Sequence, residues 1–220
     1  MIFSSFLSSS LIKKALDDQK IEVDCFNFRQ FSVGKHQKVD SPPFGGGAGM
    51  VLRPEPIINS LEYLEKKFNK KGLHKVLLTP QGKTFNQGQA KQLSKTGKPI
   101  VLICGRYEGF DERIRDFVDE ELSLGDFILL GGETAAMCII EAVSRNAPGV
   151  ISEDSLGDES FTEGLLEYAQ YTKPRSFKNL LVPDVLLGGN HLEIKKWRQA
   201  NAVERTKNKR PDIVIKDKAN

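Results

Sequence analysis

The chain is poor in the residues that build metal centres and disulfide frameworks. Three cysteines occur in 220 residues, Cys25, Cys104 and Cys138. They are odd in number, far apart and form no Cys-x-x-Cys pair, which argues against a disulfide scaffold or a zinc site and suits a reducing cytoplasm. The three histidines, His36, His74 and His191, lack metal-ligand spacing, so no metal site is expected. No run of about 18 apolar residues is present, which excludes a helical membrane span. The opening Met1-Ile2-Phe3-Ser4-Ser5-Phe6-Leu7 has no basic region or cleavage site and does not read as a signal peptide. No G-x-G-x-x-G opens a helix, and the glycine run Gly45-Gly46-Gly47-Ala48-Gly49-Met50 lacks the Lys-Ser/Thr of a phosphate loop. No Ser-containing nucleophile elbow occurs either. Generic hydrolase and metalloenzyme readings therefore have little support.

What is present is an ordinary globular composition, 39% hydrophobic and 28% charged, long enough for one large domain or a medium and a small one. The net charge of +3 conceals an asymmetry. Residues 171–220 hold 12 Lys and Arg against 5 Asp and Glu, a balance of +7, which leaves 20 against 24, or −4, for residues 1–170. Residues 151–170 contain six acids and no base. A basic terminal segment is the footprint of a polyanion binder, with a solubilising surface as the alternative.

Periodicity divides the chain into alternating helices and strands. Residues 4–18 carry Phe6, Leu7, Leu11, Ile12 and Leu16 at helical spacing, and Ile21 to Phe28 alternates as a strand. A helix is expected from about Pro56 to Lys70, a strand at Lys75–Thr79, a helix from Gln87 to Leu93 and a strand at Pro99–Cys104. A third short apolar run, Phe127–Leu130, is followed by a helix over Glu133–Arg145. Short, consecutive apolar runs suit strands covered on both faces, and their alternation with helices implies an α/β fold with a parallel sheet. Residues 1–150 then form one domain, 151–170 an acidic flexible linker, and 171–220 a basic unit with a helix over His191–Ala202.

Ligands of such sheets sit in the loops at the carboxyl ends of the strands. Those loops are Thr79-Pro80-Gln81-Gly82, Gly105-Arg106-Tyr107-Glu108-Gly109 and Leu129-Leu130-Gly131-Gly132-Glu133. Their Gly and Pro content lets backbone approach a ligand closely, although any one alone reads as a tight turn.

Several segments, in order, resemble the bacterial tRNA (guanine-N1)-methyltransferases of the SPOUT superfamily. They are His36–Asp40, Pro43–Met50, Cys104–Arg113, Ser123–Leu129, Gly131–Glu133, Tyr171–Pro174 and Gly189–His191. The resemblance runs from near residue 3 to near residue 211. It implies a parallel sheet threaded into a deep trefoil knot, plus a small, mostly helical C-terminal domain; such a knot is an exception to the rule that chains do not thread loops. It also implies S-adenosylmethionine as methyl donor, with Mg²⁺ as a suggested assistant, tRNA as partner, and a cytoplasmic homodimer whose active site lies at the subunit interface. Carried over by position, the cofactor site comprises Thr79, Pro80, Gln81, Gly105, Tyr107, Glu108, Leu124, Gly125, Asp126, Phe127, Ile128, Leu129, Gly131 and Gly132. Leu124, Ile128 and Leu129 would wall an adenine.

For the acceptor, the resemblance implies a carboxylate before a Ser-Phe pair as general base and an Arg after the knot as cation. Arg145 matches the cation. Before Ser160-Phe161 stands Glu159, with Asp158 one place earlier, so either is the candidate base. Asp40, Lys173, Asn190, His191, Lys195, Lys196 and Arg198 are the RNA-facing candidates. Trp197 is either core or a stacking platform. The chain departs from the family in beginning at the first helix, without the strand and Leu-Phe-Pro turn that precede it there; an upstream start or a compromised fold follows. It also has Gly131-Gly132-Glu133-Thr134-Ala135-Ala136 where the family has Gly-Gly-Glu-Leu-Pro-Ala, which is expected to weaken cofactor binding modestly. The expected function is methylation of N1 of the tRNA guanosine 3′-adjacent to the anticodon, position 37. The alternatives are an inactive RNA-binding relic or a knotted methyltransferase acting on another RNA.

Overall fold

The computed structural model describes residues 2–68, 72–152, 159–161 and 164–216. The chain divides into two compact units, Met1–Ile151 and Ser152–Asn220.

The first unit is built on β3 (His74–Thr84), which pairs in parallel with β4 (Ile100–Cys104) on one side and β5 (Glu120–Ser123) on the other. Successive side chains of a strand face opposite ways, so Val76 and Leu78 enter one core and Leu77 the other. Val76 and Leu77 are both fully buried, as expected of a central parallel strand covered on two faces. On the Leu77 face lies α3 (Pro54–Lys67), whose Ile57, Leu61 and Leu64 recur at helical spacing. Proline at its first turn loses no helical hydrogen bond. On the opposite face lie α4 (Gln87–Ser94) and α5 (Gly132–Ser144), with Leu93, Ala135, Ala136 and Ile139 against Val76, Leu78 and Leu122. A reciprocal cap starts α4: Asn86 Oδ1 accepts from Gln89 N at 3.1 Å and Gln89 Oε1 from Asn86 N at 3.0 Å. A two-residue ladder, β1 (Asp40–Ser41) with β2 (Val51–Leu52), joins the core through Leu52.

Three sequence expectations for this unit are corrected. The helix expected over residues 4–18 is two, α1 (Ile2–Leu7) and α2 (Ser10–Asp17). Ser8 and Ser9 Oγ both donate to the Ser5 carbonyl, at 3.1 and 2.5 Å, and Ser10 has φ 47°, so the serine run competes with the helix ladder. Residues 21–27 form no strand among the described residues. Alternation sets side-chain faces, but a strand also needs a partner edge, and no described strand pairs with this segment. The third strand is Glu120–Ser123 rather than Phe127–Leu130. Its charged start conceals it: Glu120 Oε1 lies 2.7 Å from His74 Nε2, and Glu121 pairs with Arg115. Ile128 and Leu130 are instead 80% and 98% exposed, in a loop.

The second unit centres on α6 (His191–Lys209), longer than the expected His191–Ala202, followed by α7 (Pro211–Lys216). Residues 166–171 run along α6. The buried Thr206 hydroxyl accepts from Leu166 N at 2.8 Å and donates to the Ala202 carbonyl at 2.7 Å. Asn201 Oδ1 accepts from Ala169 N at 2.7 Å, and Arg205 Nε donates to the Glu167 carbonyl at 3.2 Å. A hairpin joins β6 (Ser176–Phe177) to β7 (Leu180–Leu181). Its turn residues Lys178 and Asn179 both have positive φ, which matches the right-handed strand twist.

Candidate active site

At the carboxyl end of β3 the ladder slips. Leu78 and Lys83 both stand opposite Leu122, so Thr79, Pro80, Gln81 and Gly82 bulge out of the sheet. A Cβ on Gly82 would meet the Glu121 carbonyl carbon and Leu122 N at 2.5 Å, so the bulge lies hard against β5. Thr79 is buried and its hydroxyl donates to Gln81 Oε1 at 3.2 Å. Gln81 Oε1 also accepts from Arg115 Nη2.

The loop after β4 is held on two sides. Glu108 N donates to the Met50 carbonyl at 3.0 Å, and Leu52 N to the Gly109 carbonyl at 2.9 Å, which docks it on the glycine run before β2. On the other side, Gly132 N donates to the Gly105 carbonyl at 2.8 Å. A Cβ on Gly132 would lie 2.8 Å from Cys104 Cα, and one on Gly105 would lie 2.5 Å from the Phe110 ring. Tyr107 has φ 61° and projects to solvent. Arg106 Nε donates to Glu133 Oε1 at 2.9 Å across the same junction.

The loop after β5 begins with Leu124 packed against the α5 core. Ser123 Oγ then donates to the Gly125 carbonyl at 3.1 Å, and Phe127 N donates to the same carbonyl at 2.9 Å. Past this turn, Phe127, Ile128, Leu129 and Leu130 present apolar surface to solvent. The structure thus gathers Thr79–Gln81, Gly105–Glu108, Leu124–Leu129 and Gly131–Gly132 onto three loops at the carboxyl ends of three adjacent parallel strands. An aromatic nucleoside needs apolar walls and backbone donors and acceptors, and these loops offer both.

A cavity of about 170 Å³ adjoins the loop after β4, lined among others by Asn27, Arg29, Cys104, Arg106, Tyr107 and Glu133. Burial, reinforced by the Glu133 carboxylate, pushes the Cys104 thiol up to about 12. Asp111 is held below its ordinary range by its hydrogen bonds to Arg113, at 2.8 Å from Nε and Nη2.

Asp40 lies in β1 opposite Leu52. Arg145 is half-buried at the end of α5. Glu159 is half-buried and belongs to the second unit, while Asp158 lies outside the described residues. In the second unit Asn190 caps α6, its Oδ1 accepting from Leu192 N and Glu193 N, and His191 is the first helical residue. Lys173 is exposed. Lys195 and Lys196 line an open groove of about 840 Å³ along α6 with Leu192, Gln199, Ala200 and Val203. The Arg198 guanidinium stacks 4.6 Å from the Tyr168 ring, and half-buried Trp197 packs on Tyr171 with centroids 6.3 Å apart. Sequence reasoning missed Arg115 and the Arg106–Glu133 pair. Pairing of Arg106 with a residue 27 positions on leaves no local signal.

Fold and loops define an α/β domain with a candidate ligand site at the carboxyl edge of a parallel sheet, joined to a basic helical unit. The family model for tRNA (Guanine-1)-methyltransferase TrmD matches residues 1–216, and the chain belongs to that enzyme family, within the SPOUT superfamily. Its relatives include the tRNA (guanine-N(1)-)-methyltransferase of Malacoplasma penetrans, 50% identical over 97% of this chain and 92% of that one. The protein of the same name from Mycoplasmopsis synoviae is 48% identical, covering 96% and 92%, and that of Staphylococcus aureus 47%, covering 98% and 87%.

Proposed function

We propose that this chain transfers a methyl group from S-adenosylmethionine to N1 of the guanosine 3′-adjacent to the anticodon, position 37, of tRNA. The observation that carries the reading is family membership along nearly the whole chain. The fold is a sheet whose strand-end loops are threaded as a trefoil knot, and two copies pair so that the active site forms at their interface.

The sulfonium methyl is electrophilic as supplied, so the chain's task is alignment. The bulge at Thr79–Gln81 and the backbone of Gly105, Tyr107, Glu108, Gly131 and Gly132 hold the donor. Leu124, Gly125, Asp126, Phe127, Ile128 and Leu129 enclose its adenine. Guanine N1 carries a proton at neutral pH. Glu159 accepts that proton, with Asp158 as the alternative base, and Arg145 stabilises the charge developing on O6. Asp40, Lys173, Asn190, His191, Lys195, Lys196 and Arg198 engage the RNA, chiefly its phosphates. Mg²⁺ is an assistant in this reading, and no three His, Cys, Asp or Glu side chains cluster as metal ligands among the described residues.

Single-turnover transfer of labelled methyl to tRNA transcripts tests the scheme. Guanosine at the target should accept label and adenosine should not. Glu159→Gln should slow transfer by about 10²-fold or more with donor affinity retained. If Asp158→Asn does so instead, the base is Asp158; label in the adenosine transcript would reject the assigned position.

A further inference from the structure

The bulge of β3 has lost its ladder partners over Thr79–Gly82, yet it must hold one shape to present backbone to a donor. One side chain outside the site does this. Arg115, in the two-turn 3₁₀ helix Glu112–Phe117, reaches three elements at once. Its Nε donates to Glu112 Oε2 at 2.8 Å, within its own turn. Its Nη1 forms an ion pair with Glu121 Oε2, an oxygen on β5 that is buried and receives no hydrogen bond among the described residues. Its Nη2 donates to Gln81 Oε1, the same oxygen that receives the Thr79 hydroxyl. Arg115 itself is only 20% exposed, so the fork is fixed by packing as well as by charge. The guanidinium is planar and carries five N–H donors in a fixed geometry, which an ammonium cannot reproduce.

We infer that Arg115 is a positioning residue for the methyl donor, acting through Gln81 by anchoring the β3 bulge to Glu121 on β5. The inference rests on the reading of Thr79–Gln81 as part of the donor site. Two further features favour it over a purely structural bridge. Gln81 is exposed, so its contact with Arg115 covers little apolar core and serves mainly to orient the bulge. The adjoining Gly82 already fixes the distance from bulge to β5, which leaves orientation as what Arg115 adds.

The test measures donor and tRNA KM, kcat, direct binding of S-adenosylmethionine and thermal unfolding for Arg115→Met, Arg115→Lys, Gln81→Ala and the Arg115→Met/Gln81→Ala double variant. Arg115→Met should raise donor KM and Kd about tenfold, the scale of a lost charged hydrogen bond, and leave tRNA KM within about twofold. Arg115→Lys should recover part of the loss, since it keeps the charge and one partner. In the Gln81→Ala background, Arg115→Met should have no further effect on donor affinity. Equal effects in both backgrounds, or donor and tRNA KM rising together, would overturn the inference. Should Arg115→Met fail to fold, Arg115→Lys decides: donor affinity equal to wild type refutes the positioning role. A wild-type chain that binds no S-adenosylmethionine would instead overturn the site reading beneath it.

Discussion

Replacing Gly132 by alanine isolates the contact that seats α5 against the loop after β4. Gly132 does not require positive φ, so backbone conformation permits a side chain there, and a helical Gly→Ala change ordinarily stabilises by up to about 1 kcal/mol. Here the new Cβ would sit 2.8 Å from Cys104 Cα and 2.9 Å from Gly105 N, both backbone atoms, where ordinary contact begins at 3.4 Å. The start of α5 or the end of β4 must move by roughly half an ångström, and overpacking of that kind costs about 1–3 kcal/mol. Because both neighbours are backbone atoms, the upper part of that range, about 2–3 kcal/mol, applies, and the net loss is about 1–2 kcal/mol. For a chain of this length that lowers Tm by roughly 2–8 °C. The Gly132 N–H to Gly105 carbonyl bond lengthens with it, so donor affinity should fall as well. Thermal unfolding by circular dichroism reads the first effect and calorimetric titration with S-adenosylmethionine the second. Gly188→Ala is the control: it also has no positive φ, and a Cβ there would meet nothing nearer than the Asp184 and Val185 carbonyl oxygens at 3.9 Å, so stability should stay within about 0.5 kcal/mol. A Gly132→Ala chain as stable as wild type would refute the packing argument.

Thr206→Val removes the buried hydroxyl that accepts from the part-buried Leu166 N, destabilising the second unit by about 1 kcal/mol. Trp197, the one tryptophan, lies on the same helix, so urea unfolding followed by its fluorescence reads the change; an unshifted midpoint contradicts the assignment. At pH 8 the Cys104 thiolate share is about 1 in 10⁴ for a pKa of about 12, so a thiol reagent should modify exposed Cys138 and spare Cys104 until unfolding. A folded pKa above the ordinary 9.0 also means that this thiol's contribution to stability is complete below about pH 9 and is lost as pH rises toward 12. Cys104→Ser should flatten that alkaline decline; an unchanged profile would contradict it.

Much of the first unit was legible because its signals are local. β3 and β4 are short apolar runs, α3 and α5 carry their apolar residues at helical spacing, and the loops between them stand out by Gly and Pro. β5 was not legible, because Glu120 and Glu121 are tolerated in a strand only through His74 and Arg115, partners that sequence does not place beside them. The apolar run Phe127–Leu130 misled for the converse reason: consecutive apolar residues suggest a buried strand, yet here they lie in a solvent-exposed loop. The break in the first helix came from serine hydroxyls bonding to the Ser5 carbonyl, a competition that apolar periodicity does not register. Within the site, the loop residues could be named from the resemblance, whereas the clamp on the bulge could not. Arg115 takes its meaning from Gln81, 34 residues away, and from a register slip visible only in three dimensions.

The most direct measurement is nucleoside analysis of unmodified tRNA bearing guanosine 3′ of its anticodon, after incubation with the chain and methyl-labelled S-adenosylmethionine. Label should appear as 1-methylguanosine, approach one methyl per tRNA, and vanish when that guanosine is replaced by adenosine. Label in another nucleoside, or none despite demonstrable donor binding, would contradict methyl transfer to guanine N1 as the activity of this chain.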